Sequence, residues 1–381
     1  MASKTVLKQL KTTRPKQYAK DLGITRERLD DLPPTPLTPE EIENGKKPRQ
    51  PIASFRYYYV ATGADVPVDV LERIQKLGIP PAYRMVWIST DASTHLQATA
   101  KDDKNRTQYR YHTVHTLAQD HKKYARVIAF MKVLPTFTDK VEQDSRKPGL
   151  GKLKVIAWMF KIMQELNIRI GNDCYAKDNN SYGLSTLEKH HISFKELKTG
   201  KVAVFSFLGK SKQRHSLKLE SPDAVKVVEQ LFTLGNDHLF QFKEGGVLAR
   251  VKADDLNEYL HRIMGNQFSC KDFRTYAANK FFLQFVRKET LAHPPDTIKQ
   301  QKINLRNALD KAASKLGHKP SIAKKSYVKY LSDMYMDNPD RFANKKNINQ
   351  LLTELFTLAI KENKQTVAGT WYPVVFANNV F

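Results

Sequence analysis

The chain has 381 residues, enough for two domains each with its own core, and 41% of them are hydrophobic, as in an ordinary globular protein. Lysine and arginine outnumber the acids 63 to 39, a formal charge of +24. That excess points to a polyanionic partner, because each phosphate neutralised releases condensed counterions. Two cysteines without a CxxC pair argue against a zinc site or disulfide framework and for an intracellular chain, and no apolar run approaches the roughly 20 residues that span a bilayer.

Residues 1–50 read as an N-terminal extension. Six cations (Lys4, Lys8, Lys11, Arg14, Lys16 and Lys20) precede the first acid, Asp21. This start lacks the uninterrupted apolar stretch of a secretory signal, while an organellar transit peptide stays open. The cluster Pro33-Pro34-Thr35-Pro36 and the breaks at Pro48 and Pro51 then work against a packed core. From Ser54 the texture changes. SFRYYYV, MVWIS, HLQATA and TQYRYH are short, β-branched and aromatic, and predict a small antiparallel sheet within residues 51–117. LERIQKLG is the one helix there, ended by Gly78.

From about residue 118 the apolar period turns helical. LAQDHKKYARVIAFMKVL and LKVIAWMFKIMQELNI carry apolar residues at spacings of three and four, with EQDSRKPGLGK as a polar loop between them. HHISFKEL and KVAVFSFLG predict a strand pair joined around Thr199-Gly200. Helices dominate the rest, from DAVKVVEQLFTL through KDFRTYAANKFFLQFVRK to the segments around Tyr327 and Leu351.

Five side chains form a constellation suited to transesterification at a phosphodiester: Arg169 in NIRIGN, Lys210 in FLGKSK, Arg274 in KDFRTY, His318 in LGHKPS and Tyr327 in AKKSYVKY. As an attacking oxygen displaces a leaving one, negative charge gathers on the phosphorus oxygens. Two guanidiniums can clamp those oxygens in fork geometry, and an imidazole adds a donor without burying another permanent charge. A lysine at a strand end can protonate the departing 5′-oxygen, with Lys271 as an assisting candidate on the helix of Arg274. A tyrosine ester of phosphate stores the bond energy, so the chemistry calls for no metal, cofactor or ATP. Each element alone has an ordinary reading. KDFRTY can be a helix start with Asp272 capping or pairing, and Tyr327, like Tyr330 and Tyr335, can be half-buried packing.

The order of the set, with His318 followed nine residues later by Tyr327, resembles the tyrosine recombinase and type IB DNA topoisomerase superfamily. That superfamily is mostly helical and forms 3′-phosphotyrosyl intermediates. Two features are similar to the topoisomerase branch, in its small poxvirus-like form also seen in bacteria and giant viruses. Recombinases usually read H-x-x-R where this chain has Lys271-Asp272-Phe273-Arg274, and GHKPSIAKKSY resembles the branch's G-H-x-P-S-I-[AS]-K-[RK]-x-Y. IPPAYRMVWIS and ATAKDDKNRTQYRYH likewise resemble the motifs of its first domain, and the likeness runs over about residues 54–335. It implies DNA contacts for Gln108, Tyr109, Tyr111 and Tyr175 and for the basic positions Lys104 and Arg106. Asn105 stands where the family usually has glycine, which leaves the geometry of that loop open.

The expectation is an α+β protein: a small N-terminal antiparallel β domain over 51–117, and a larger, mostly helical catalytic domain with a β-hairpin over 118–381. The two would close as a clamp on double-stranded DNA, as a monomer, with no membrane and no small-molecule substrate. A virion, viral factory, bacterial cytoplasm or nucleus would all suit it. The nearest rival is a site-specific tyrosine recombinase, against which Lys271 and the QYRYH-bearing domain argue. A structural DNA-binding protein that keeps the motifs as an inert clamp is the rival from another class.

Overall fold

The computed structural model describes residues 23–29, 55–198, 200–344 and 346–369, without the side chains of residues 175, 211 and 362–369. The six early cations and the proline cluster of the extension lie outside these residues. The chain divides into two compact units, one up to Lys122 that also takes in the chain from Lys361, and one spanning Lys123–Ile360.

The first unit is built on strands β1 (Ile24–Arg28) and β2 (Phe55–Tyr59), helix α1 (Val68–Lys76), and strands β3 (Arg84–Ile88), β4 (Leu96–Lys101) and β5 (Thr107–Tyr111). Its antiparallel sheet has the order β2-β1-β3-β4-β5. Ile24, Ile74, Val86, Ile88, Ala98 and Ala100 form its core. Strand β1 departs from the sequence reading, which left residues 1–50 outside the sheet. ITRER has no apolar alternation, and Ile24 alone of its residues is fully buried. Polar side chains hold it instead. Thr25 Oγ1 donates to Val86 O at 2.7 Å, and Arg26 Nη2 donates to Pro80 O at 2.6 Å while its guanidinium lies 3.9 Å from the Phe55 ring centre.

The second unit begins within helix α2 (Thr113–Ser145) and continues with α3 (Lys152–Leu166) and α4 (Asp173–Asn179). Strands β6 (Ile192–Leu197), β7 (Gly200–Gly209) and β8 (Gln213–Leu219) form a sheet in the order β6-β7-β8. Helix α5 (Pro222–Phe232), the hairpin of β9 (Gln241–Glu244) and β10 (Val247–Arg250), and helices α6 (Ala253–Met264), α7 (Cys270–Ala292) and α8 (Ile298–Lys315) follow. Helix α9 (Pro320–Ala323) runs through a π-helical turn (Lys324–Val328) into α10 (Lys329–Asp337), and α11 (Ile348–Gly369) comes last among the described residues. Phe130, Phe137, Phe160 and Phe273 interlock at the centre, with Phe130 edge-on to Phe273 at 5.0 Å and Phe137 edge-on to Phe160 at 4.9 Å.

The protein is α+β, as expected, but two expectations within this unit change. The predicted hairpin is a three-stranded sheet, because QRHSLKL exposes most of its side chains and gives no apolar signal for β8. Helix α2 runs through Pro135 to Ser145, so EQDS is helical and not loop. No helix among the described residues is long and apolar enough to cross a membrane.

Candidate active site

Arg169 leaves a loop whose backbone is tightly fixed. Helix α3 ends at Asn167 in the left-handed region, φ 51°. Beyond it Gly171 and Gly183 meet so closely that a Cβ on Gly183 would lie 2.6 Å from Gly171 Cα. The Arg169 carbonyl accepts from Leu184 N at 2.8 Å.

Helix α7 starts at Ser269, whose backbone N–H donates to the Asp272 carboxylate at 2.8 Å. Arg126 on α2 grips both oxygens of the same carboxylate, at 2.7 and 2.6 Å. Asp272 therefore both caps and pairs. Arg274 is only 7% exposed. Its Nη1 donates to Asn167 O at 2.6 Å and its Nη2 to Leu316 O, while its buried Nε has no partner among the described residues. Burial, followed by the nearby Arg169 charge, lowers its pKa to about 10, so it remains a cation at neutral pH.

His318 follows the end of α8. Gly317 takes φ +58°, which a glycine adopts without cost, and His318 N closes the helix on Ala313 O at 3.1 Å. Nδ1 faces the Lys319 carbonyl at 3.2 Å and so carries the proton, which leaves Nε2 buried without a partner among the described residues. Burial, and then the Arg274 charge, lower the His318 pKa to about 4.

Tyr327 sits in the π-helical turn, its ring stacked on that of His318. Burial pushes the phenol pKa up, but the charges and hydrogen bonds of Arg274 and Arg169 outweigh it and hold the group below its usual 10. Lys123 Nζ donates to the neighbouring Ser326 carbonyl at 2.7 Å. The other two tyrosines are placed differently. Tyr330 packs on Tyr124 at 5.2 Å, and Tyr335 is fully buried, accepting from Thr290 Oγ1 at 3.1 Å and Asn304 Nδ2 at 3.3 Å.

Arg169, Lys210, Lys271, His318 and Tyr327 together line a cleft of about 800 Å³. Arg274 lies behind it, lining a small cavity of about 20 Å³ with Arg169, Lys210 and His215. Lys210 opens the turn between β7 and β8. The carboxylate lining the cleft, Asp272, is already held by Arg126, so the surplus positive charge faces whatever enters. Such a site suits an anion. No group of three or more His, Cys, Asp and Glu that could hold a metal ion occurs among the described residues.

The remaining expected residues lie elsewhere. Lys104, Arg106, Gln108, Tyr109 and Tyr111 belong to the β4–β5 hairpin of the first unit. Asn105 holds φ +57° at its tip, so it supplies the left-handed residue that glycine would. Asp102 organises the turn, accepting from Arg106 Nε at 2.8 Å and Gln108 Nε2 at 2.9 Å, and its pKa falls to about 2 chiefly through the Arg106 hydrogen bond. Tyr109 and Tyr111 are exposed on the opposite strand face, rings stacked 6.1 Å apart. Tyr175 falls in α4, its side chain outside the described residues.

Sequence reading missed Arg126, Lys123 and His215. The spacing of three that puts Lys123 and Arg126 on one face of a helix was the available signal for the first two.

The family model "Eukaryotic DNA topoisomerase I, catalytic core" matches residues 110–353, and "Bacterial DNA topoisomerase IB, N-terminal domain" matches residues 54–102. DNA topoisomerase 1B of Acanthamoeba polyphaga mimivirus is 36% identical over 321 residues, 83% of this chain and 94% of the relative. DNA topoisomerase 1B of vaccinia virus (strain Copenhagen) is 28% identical over 251 residues, 65% of this chain and 73% of the relative. DNA topoisomerase 1 of rabbit fibroma virus (strain Kasza) is 26% identical over 277 residues, 70% and 80% of the two chains.

Proposed function

From the premise that the chain belongs to the type IB DNA topoisomerases, we propose that Tyr327 cuts one strand of duplex DNA and holds its 3′-phosphate while the duplex swivels. The observation that carries this reading is the pair of orphaned buried nitrogens beside the phenol. Arg274 Nε and His318 Nε2 are buried without partners among the described residues. Leaving a buried polar group unpaired costs about 1–3 kcal/mol, a cost that an entering phosphate oxygen removes at Arg274 Nε directly and at His318 Nε2 once the ring takes up a proton.

The phenol attacks phosphorus and gives its proton to solvent water, the bond to the 5′-oxygen breaks, and the charge that gathers on the non-bridging oxygens is met by Arg169, Arg274 and His318. Reaching phenolate at neutral pH costs roughly 4 kcal/mol for an ordinary phenol, at about 1.4 kcal/mol per pKa unit. The two arginines lower that cost, since they already hold Tyr327 below 10. The imidazole takes up a proton and donates from Nε2 once the anion offsets the burial and the arginine charges that keep it neutral. Lys210, on the cleft wall, gives its proton to the leaving 5′-oxygen, with Lys271 assisting. Religation reverses each step, and the stored ester makes metal and ATP unnecessary.

The DNA contacts divide by type. Lys104 and Arg106 meet phosphates. Tyr109 and Tyr111, exposed on one strand face, meet sugar or base, and Tyr175 is assigned a DNA contact as well. Gln108, tied through Nε2 to Asp102, keeps Oε1 for a base edge. Both units engage one duplex as a clamp, and the enzyme works as a monomer.

The linkage is tested with a duplex nicked just beyond the scissile phosphate, so that the short leaving strand diffuses away. A label upstream of the break should remain on the protein, linked to Tyr327 in the digested peptide. Label retained from the downstream side would reverse the assigned polarity.

A further inference from the structure

His215, on β8, belongs to no motif described above. Its imidazole stacks on Phe207, centroids 5.0 Å apart and planes 21° from parallel. Backbone closes on the same ring from two other directions. A Cβ on Gly209 would lie 2.6 Å from His215 Cδ2, and one on Gly317 would lie 2.5 Å from its Cε1. Both distances are too short for any real carbon contact, so at these two places the ring excludes every side chain.

The identity of the two glycines gives the contact its meaning. Gly209 immediately precedes Lys210, and Gly317 immediately precedes His318. Lys210 is carried by the β7–β8 turn and His318 by the end of α8, elements far apart in the chain. A single half-buried ring thus touches the backbone just ahead of both side chains, and it shares the small cavity with Arg169 and Arg274.

We propose that His215 is a positioning residue: its ring is the spacer that sets the Lys210 turn against the His318 segment, so that proton donor and oxygen clamp meet the same phosphate. The role belongs to the shape of the ring. Its contacts are a stacked face and close-packed edges, and a displacement on the order of 1 Å at a reacting group can cost about a hundredfold in rate. The proposal rests on the roles assigned above to Lys210 and His318.

Single-turnover cleavage by the full chain at saturating enzyme tests it, with DNA affinity and thermal midpoint measured on each variant. H215A should cleave roughly tenfold or more slowly with unchanged affinity, because the misplaced groups act on the transition state. H215F, which keeps the ring, should stay within about threefold of the parent. G209A should be slow by itself, since its methyl strikes the ring, and the G209A/H215A double variant should lose less than the product of the two single losses, because the clash goes with the ring. Such non-additivity marks a direct contact.

Parental cleavage by H215A would overturn the proposal. So would an H215F enzyme as slow as H215A, a double variant whose loss equals the product of the two single losses, or a rate loss that vanishes once the unfolded fraction is subtracted. K210A and H318A run alongside as controls. If they cleave at the parental rate, the assigned roles themselves fail. If they are slow while H215A is not, the spacer alone is lost.

Discussion

The imidazole of His318 lies flat against the phenol of Tyr327, ring centroids 5.6 Å apart and planes 3° from parallel. The same two arginines act on both rings with opposite results. They hold Tyr327 below its usual pKa, and they add to burial in bringing His318 down to about 4. Cations favour a phenolate and oppose an imidazolium, so the same field lowers the cost of ionising Tyr327 and keeps His318 neutral at pH 7.

Binding of a phosphodiester should reverse the second effect. In the free protein, NMR should show His318 neutral down to about pH 4, and in a complex of Y327F with uncut DNA its pKa should rise. A His318 signal that titrates identically in both would remove it from contact with the phosphate. The shift also has a cost for the fold. Because the folded pKa lies below the ordinary 6.5, the unfolded chain takes up the proton first as pH falls. Stability is therefore full above 6.5 and lost between about 6.5 and 4, at no more than about 1.4 kcal/mol per pH unit and less where solvent screens the ring. H318Q should flatten that part of the urea midpoint against pH.

Arg274 should not tolerate lysine. An ammonium cannot reach Asn167 O and Leu316 O together and still offer a donor in the Nε position. R274K should slow cleavage and religation equally, by roughly a hundredfold or more, because both steps share one transition state. Rapid-quench measurement of the two rates checks this, and loss confined to religation would contradict it.

A departing alkoxide needs a proton, whereas a thiolate, with a pKa of roughly 8.5, does not. K210A should therefore be slow on ordinary DNA and largely restored on a strand whose bridging 5′-oxygen is sulfur. R169A and R274A should stay slow on both. Equal slowness of K210A on the two substrates would take Lys210 out of proton transfer.

What the sequence made legible follows from how each feature is encoded. Strands β2 to β5 and helices α3 and α7 announce themselves by apolar period, and GHKPSIAKKSY sets His318 nine residues before Tyr327. Strand β1 escaped because Thr25 and Arg26 hold it by polar contacts to residues far along the chain. His215 escaped for a related reason: its neighbours Gly209 and Gly317 are unremarkable in sequence and meet only in three dimensions. Asp272 shows the reverse, since its ordinary role as cap and ion-pair partner is real, two residues before Arg274 on the same helix.

The β4–β5 hairpin separates two kinds of readout. Tyr109 and Tyr111 share one face, while Gln108 lies on the other, bonded to Asp102. Y109A and Y111A should weaken DNA affinity, by roughly 1–3 kcal/mol if each stacks on a base. Q108A should instead redistribute cleavage sites on a single plasmid. An unaltered cleavage map for Q108A would count against base recognition by that side chain.

The most direct test of the account is the covalent step itself, measured as transfer of labelled DNA to protein by Y327F, Y330F and Y335F. Y327F should bind DNA like the parent and form no adduct, because only the attacking oxygen is gone. Y330F should form it at close to the parental rate, since Tyr330 packs against Tyr124. Y335F should also form it, after correction for any loss of fold from its buried hydrogen bonds. Adduct on Y327F, or its disappearance in a folded Y330F, would contradict the assignment of the nucleophile.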